Sequence, residues 1–169
     1  ALPAPFLHEK DGSRYRGTGH LVITKDPDTN WVNAGAYRMM LHNHNTAGIY
    51  IGPGKHGNIH RQKYFEKGRP LPVTVALGSD PLVWFAACCP VAAQVSEFDF
   101  AGGLAGEPVK VVHSDITGLP YPADAEIVLE GEMRPGEFKE EGPFGEWPGY
   151  YASARRQEPF MRVQRVLHR

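Results

Sequence analysis

Residues 141–150, EGPFGEWPGY, place two carboxylates, Glu141 and Glu146, on either side of a Gly-Pro-Phe-Gly turn. The turn breaks any helix, so both acids belong to a loop. Two close carboxylates repel, which lifts the pKa of one toward neutral and makes a general acid or base available. Phe144, Trp147, Tyr150 and Tyr151 supply apolar surface beside them, and such surface desolvates an acid. The plain alternative is a solvated acidic loop, because Glu137 and Glu140 lie close by. In WVNAGAYRMM, Asn33 is an oxygen ligand for a hard cation and Arg38 a fork for carboxylate or phosphate. Their odd separation puts them on opposite faces of a strand, unless the chain bends at Gly35. The plain alternative there is a turn asparagine and a surface arginine.

Other motifs exclude more than they assign. GPGKHG, residues 52–57, lacks the phosphate-loop spacing and has His56 where that loop's metal-binding hydroxyl belongs. AGGLAGE, residues 101–107, is not a dinucleotide fingerprint. His56 and His60 stand four apart, but Gly57 replaces the glutamate of a zinc-peptidase helix. His42 and His44 alternate along a strand end and read as a polar face.

The elements that must position these residues are short. The 19 glycines and 15 prolines make about one residue in five, well above the average of roughly 12%. Strands are expected over 19–25, 35–41, 47–51, 71–77, 109–113, 125–132 and 160–167. A helix follows the 52–57 loop and ends near Gly68. Asp80 and Pro81 open a second helix to about Cys89. Ser96 and Asp99 open a third. Residues 1–18 read as an irregular lead-in. In AEIVLEGE, Ala125, Ile127 and Leu129 share one face while Glu126, Glu130 and Glu132 share the other, which predicts a half-buried antiparallel strand. The sum is an α+β domain on a small barrel of about six strands.

Eighteen basic and 19 acidic residues give a net charge of −1, and no basic stripe points to nucleic acid. No apolar run approaches the roughly 18 residues of a membrane span. The longest, residues 81–93, reads as buried core. Adjacent Cys88 and Cys89 read as reduced and buried, which points to the cytoplasm.

Four blocks in order, KDPDTNWVNAGAYR, TAGIYIGPGKHGNIHRQKY, VSEFDFAGGLAGEPV and EGPFGEWPGYY, resemble the central domain of the UbiD family, the prenylated-FMN-dependent decarboxylases. The likeness runs from about residue 10 to 169. It implies a flavin-reductase-like split β-barrel with short flanking helices, so residues 1–169 form a prenylated-FMN-binding domain. By the same resemblance, Asn33, His56 and Glu97 match the family's metal ligands. There Mn²⁺ (or Mg²⁺), with K⁺ nearby, joins protein to cofactor phosphate. Two oxygen donors and one imidazole suit such a cation better than a zinc-thiolate site. Arg38, Glu141 and Glu146 match the catalytic network: Arg38 holds carboxylate charge near the flavin, Glu141 orients it, and Glu146 protonates carbon.

The activity implied is reversible, non-oxidative decarboxylation of an aromatic or other α,β-unsaturated carboxylic acid through a covalent cofactor adduct. Family members run to several hundred residues, with an N-terminal segment and a C-terminal helical domain beyond the matched region. The resemblance therefore makes the chain a fragment of a longer homo-oligomeric enzyme. A non-catalytic flavin-binding or scaffold module completed by a partner chain is the alternative.

Overall fold

A computed structural model describes residues 4–16 and 19–169. Of the expected lead-in, residues 1–3, 17 and 18 lie outside the described residues. The elements in chain order are β1 (His20–Lys25), β2 (Val32–Gly35), β3 (Met39–Leu41), β4 (Thr46–Ile49), α1 (His56–Glu66), β5 (Leu71–Leu77), α2 (Pro81–Cys88), α3 (Glu97–Ala105), β6 (Val111–His113), β7 (Pro120–Pro122), β8 (Ile127–Glu141) and β9 (Arg156–His168).

Seven strands form one antiparallel sheet in the order β2-β1-β5-β8-β9-β4-β3, and β6 and β7 form a separate pair. The two edges of the large sheet, β2 and β3, are consecutive in sequence. Residues 36–38 alone join them. Laid flat, six strand spacings of about 4.8 Å would separate those edges by about 29 Å. A three-residue link crosses at most about 15 Å, four Cα steps of 3.8 Å. The sheet must therefore curl until its edges nearly meet. They do not pair with each other, since residues 14–16 bond along β3 instead, and the barrel is split at that seam.

Two cores follow from this curvature. Val22, Met39, Ile49, Leu71, Val73 and Met133 belong to the first, with Tyr64 of α1. Leu21, Ile23, Val128 and Leu119 belong to the second, with Val83 of α2 and Phe98 of α3. Along β1 the period-two alternation sends Leu21 and Ile23 to one core and Val22 to the other. The sheet is covered on both faces there, and this corrects the half-buried pattern expected for 125–132. Glu130, expected in solvent, is fully buried and ion-paired to Arg165. The antiparallel pairing itself is as expected.

Other boundaries moved for local reasons. The strand expected over 35–41 is broken at 36–38, where the chain crosses the seam. The strand expected over 125–132 runs on to Glu141, and an irregularity in the β8–β9 ladder between Met133 and Phe138 absorbs Pro135 and Gly136. Both helix caps are present: Asp80 Oδ1 accepts the Leu82 N–H at 2.7 Å, and Ser96 Oγ accepts the Phe98 N–H at 3.3 Å. The run 81–93 is not buried core. Only Val83 and Ala86 of α2 are buried, while Trp84 and Phe85 are exposed. The cysteines are free thiols, but Cys88 is exposed and Cys89 partly so. An eight-residue helix lying on a curved sheet turns one narrow stripe inward, and the rest of its apolar surface faces out.

Candidate functional site

Two groups of side chains meet the seam. The first is built on the link 36–38 and the end of β8. Arg38 donates from Nε to Glu141 Oε1 and from Nη2 to Glu141 Oε2, both at 2.8 Å. Glu146 Oε1 lies 3.8 Å from Arg38 Nη1, so one guanidinium bridges both carboxylates. Glu141 is 1% exposed and Glu146 32%. Burial alone would lower the Arg38 pKa, but Glu141 outweighs it and holds the guanidinium charged, above its ordinary value. The Arg38 guanidinium also stacks over Tyr50 at 4.7 Å and Phe144 at 5.3 Å.

The lead-in, which carried no signal in the sequence, scaffolds this group. Tyr15 is fully buried, and its hydroxyl donates to Glu141 Oε1 at 3.1 Å. Burial first, and the Glu141 charge second, push the Tyr15 phenol well above its ordinary range, so it remains a donor. Buried Asp11 accepts the Gly145 N–H at 2.8 Å, one residue before Glu146. Gly12 N–H donates to the Pro143 carbonyl at 2.8 Å. From β9, Arg156 stacks on Tyr50 at 3.8 Å and stands 3.9 Å from Glu141 Oε2.

The second group lines a cavity of about 460 Å³ that includes Asn33, Tyr37, His56, Glu97, Cys88 and Cys89. The three residues expected as metal ligands thus share one cavity, although they stand on β2, α1 and α3. The bend after Gly35 lets residues of the odd-spaced pair, Asn33 and Arg38, serve two neighbouring groups. Tyr37 folds back over Gly35, where an added Cβ would lie 2.3 Å from the ring. Gly57 meets the same ring from α1, with an added Cβ at 2.9 Å. Both positions need glycine for that close approach. The Tyr37 hydroxyl accepts from Asn33 Nδ2 at 3.4 Å and from the Gly57 N–H at 3.3 Å.

Glu97 is 4% exposed. Its Oε2 accepts the Ala34 N–H at 2.7 Å. Among the described residues no cationic side chain pairs with it, and burial raises its pKa. Burial and neighbouring Lys55 hold His56 toward its neutral form. His60, its competitor in the sequence, is fully buried and hydrogen-bonded through Nδ1 to Thr24 Oγ1 at 3.0 Å. Among the described residues no three His, Cys, Asp or Glu side chains gather as a metal site. The set here is two such side chains and an amide. A buried carboxylate without a counter-charge beside a neutral imidazole and an amide oxygen fits a hard divalent cation.

The curled, split antiparallel sheet belongs to the flavin-reductase-like fold class. Flavoredoxin of Desulfovibrio vulgaris has the same general fold, with a TM-score of 0.56 and 13% identity over 100% of this chain and 75% of its own. The family profile described as UbiD, 3-octaprenyl-4-hydroxybenzoate carboxy-lyase Rift-related domain, matches residues 1–169, and the chain belongs to that family. The pyrrole-2-carboxylic acid decarboxylase of Pseudomonas aeruginosa is 40% identical over 168 residues, covering 99% of this chain and 34% of that protein. An evolved dimeric form of the UbiD-class enzyme HmfF from Pelotomaculum thermopropionicum, solved in complex with prFMN, superposes with a TM-score of 0.94 at 34% identity, over 99% of this chain and 39% of its own. The chain spans about a third of the length of these relatives. No helix among the described residues is long and apolar enough to cross a membrane.

Proposed function

We propose that residues 1–169 are the prenylated-FMN-binding domain of a carboxy-lyase that reversibly decarboxylates an aromatic or other α,β-unsaturated acid. The observation that carries this reading is the Arg38 clamp on Glu141 with Glu146 beside it, in a chain of the UbiD family. When bound, prenylated FMN supplies the electron sink for loss of carbon dioxide. Asn33, His56 and Glu97 would hold Mn²⁺ (or Mg²⁺), and this cation, with K⁺, would offset the charge of the cofactor phosphate. Arg38 stays charged and, oriented by Glu141, binds carboxylate. Glu146, the less buried acid, delivers a proton to the carbon that loses carbon dioxide and recovers one from solvent. The relative acting on pyrrole-2-carboxylic acid supports an aromatic substrate. The working protein is a cytoplasmic homo-oligomer on this reading, in keeping with its two free thiols.

The test is to produce the full chain together with a flavin-prenylating enzyme and record its absorption spectrum. Turnover of pyrrole-2-carboxylate and phenolic acids is then followed in deuterated water. A bound flavin spectrum and one deuterium at the decarboxylated carbon are expected. A bound cofactor without turnover or exchange on any aromatic acid leaves a flavin-binding module and overturns the lyase reading.

A further inference from the structure

We propose that Trp31 is a positioning residue that aligns His56 and Glu97 on the cavity they share with Asn33. The inference rests on the metal reading above and adds what orients the ligands. Trp31 stands two residues before Asn33, on the chain entering β2, and is 8% exposed. Its ring meets the His56 ring edge-on at 4.5 Å between centroids, and the His60 ring at 4.9 Å. Its Nε1–H donates to the Val95 carbonyl at 3.0 Å. Val95 precedes Ser96, the cap of α3, and Glu97 is the first residue of that helix. Three segments far apart in sequence, at 31–33, 56–60 and 95–97, therefore meet on one indole.

The His56 side makes the case sharper. A ligating histidine ordinarily has its second ring nitrogen held by a carboxylate, a carbonyl or water. Among the described residues, neither His56 ring nitrogen makes a hydrogen bond, and the Trp31 ring is its one aromatic contact. That contact fixes the plane of the imidazole. The backing is rigid: His60 is held by Thr24, and Asp26 on the same side is paired with Lys63 at 2.6 Å. On the Glu97 side, the indole hydrogen bond anchors the turn that feeds the carboxylate into the cavity. A tryptophan serving the core alone would also want its N–H satisfied. What separates the two roles is a readout at the metal.

Mn²⁺ binding to the metal-free full chain is measured by calorimetry and by electron paramagnetic resonance of the bound ion. Trp31→Phe keeps a ring against His56 and loses the hydrogen bond; Trp31→Leu loses both. Loss of an outer partner of a metal site costs about 10- to 100-fold in affinity, so Trp31→Phe should fall near the lower figure and Trp31→Leu near the upper. The spectrum of bound Mn²⁺ should change in both, because the ligand geometry changes. Melting in chelator, with Leu119→Ala as a destabilised core control, gives the effect of lost stability alone. Binding within twofold of wild type and an unchanged spectrum in both variants overturns the proposal. If Trp31→Leu does not fold, Trp31→Phe decides by the same criterion. Glu97→Gln separates the two failures. If the wild type binds no Mn²⁺, or Glu97→Gln binds as tightly, the ligand assignment falls and the Trp31 role with it. If Glu97→Gln weakens binding and the Trp31 variants do not, the Trp31 role alone falls.

Discussion

The two groups at the seam handle buried charge in opposite ways. Glu141 is 1% exposed and receives a two-pronged guanidinium, a phenol and a second arginine at the margin. Glu97 is nearly as buried and accepts from the backbone N–H of Ala34, with no cationic side chain paired to it among the described residues. A lone buried carboxylate costs several kcal/mol, which is why such groups are paired, protonated or bound to metal. On the reading proposed above, the first group is complete within the chain and the second is completed by a cation. The lesson is that a fixed charge pair suits a group that must stay in place during turnover, whereas a charge deficit suits a group that must recruit a cation. Substitutions should then produce opposite signs in the two places.

The largest effect expected is on turnover. Glu146→Gln keeps the shape and hydrogen-bonding capacity of the side chain and removes its proton. A positioned general acid is worth about 10²–10⁴-fold, so turnover and solvent deuterium exchange should fall by that factor in the full chain. Metal and flavin content should not move, because neither depends on that proton. Near-normal turnover would return the 141–150 loop to an acidic turn and remove the functional half of the contrast.

Stability tests the internal pairing. Arg38→Ala strands Glu141 in the interior, and breaking one side of a buried pair costs about 3–5 kcal/mol in chemical unfolding. Replacing both partners by apolar residues, Arg38→Met with Glu141→Leu, should recover most of that loss. A single variant as stable as wild type would mean water reaches Glu141 and that the pair is not self-contained.

Much of the frame was legible because it is local. The strand over 19–25 and the caps at Asp80 and Ser96 are set by neighbours within a few residues. The break at 36–38 was half legible: Gly35 marked a bend, but the seam itself follows from strand order, a long-range property. Glu130 and the run 81–93 were misread for one reason. Exposure depends on what covers a face, and sequence patterning reports only the face. Asp11 and Tyr15 were not legible at all, since they act on residues more than a hundred positions away. Asn33, His56 and Glu97 came from a resemblance, because nothing in their spacing gathers three separate elements around one cavity.

The opposite sign is expected at the second group. Glu97→Gln removes a buried charge with which no cationic side chain pairs among the described residues. The metal-free chain should be as stable as wild type or more so, where Arg38→Ala is clearly weaker. Mn²⁺ affinity should fall by at least about 100-fold, beyond what loss of an outer partner costs. Adding chelator should lower the melting temperature of wild type and leave Glu97→Gln unmoved. A metal-free Glu97→Gln chain that melts well below wild type would show that the carboxylate is held by the fold and not by a cation, and the contrast would fail.

The smallest effect expected concerns the support of the first group. Tyr15→Phe keeps the ring, which packs on Phe144 at 4.5 Å, and removes the hydroxyl from Glu141. Glu141 Oε1 still receives Arg38 Nε at 2.8 Å, so no acceptor is left bare. The cost should sit at the low end for a hydrogen bond to a charged group, about 1.5 kcal/mol. Turnover should fall less than tenfold, well short of the loss in Glu146→Gln, because Arg38 keeps its orientation through two other bonds. Glu141→Gln supplies the scale: it weakens the pair itself and should slow turnover more than Tyr15→Phe. If Tyr15→Phe is as slow as Glu141→Gln, the phenol acts on the reacting groups directly, and the lead-in belongs to the chemistry as well as to the scaffold.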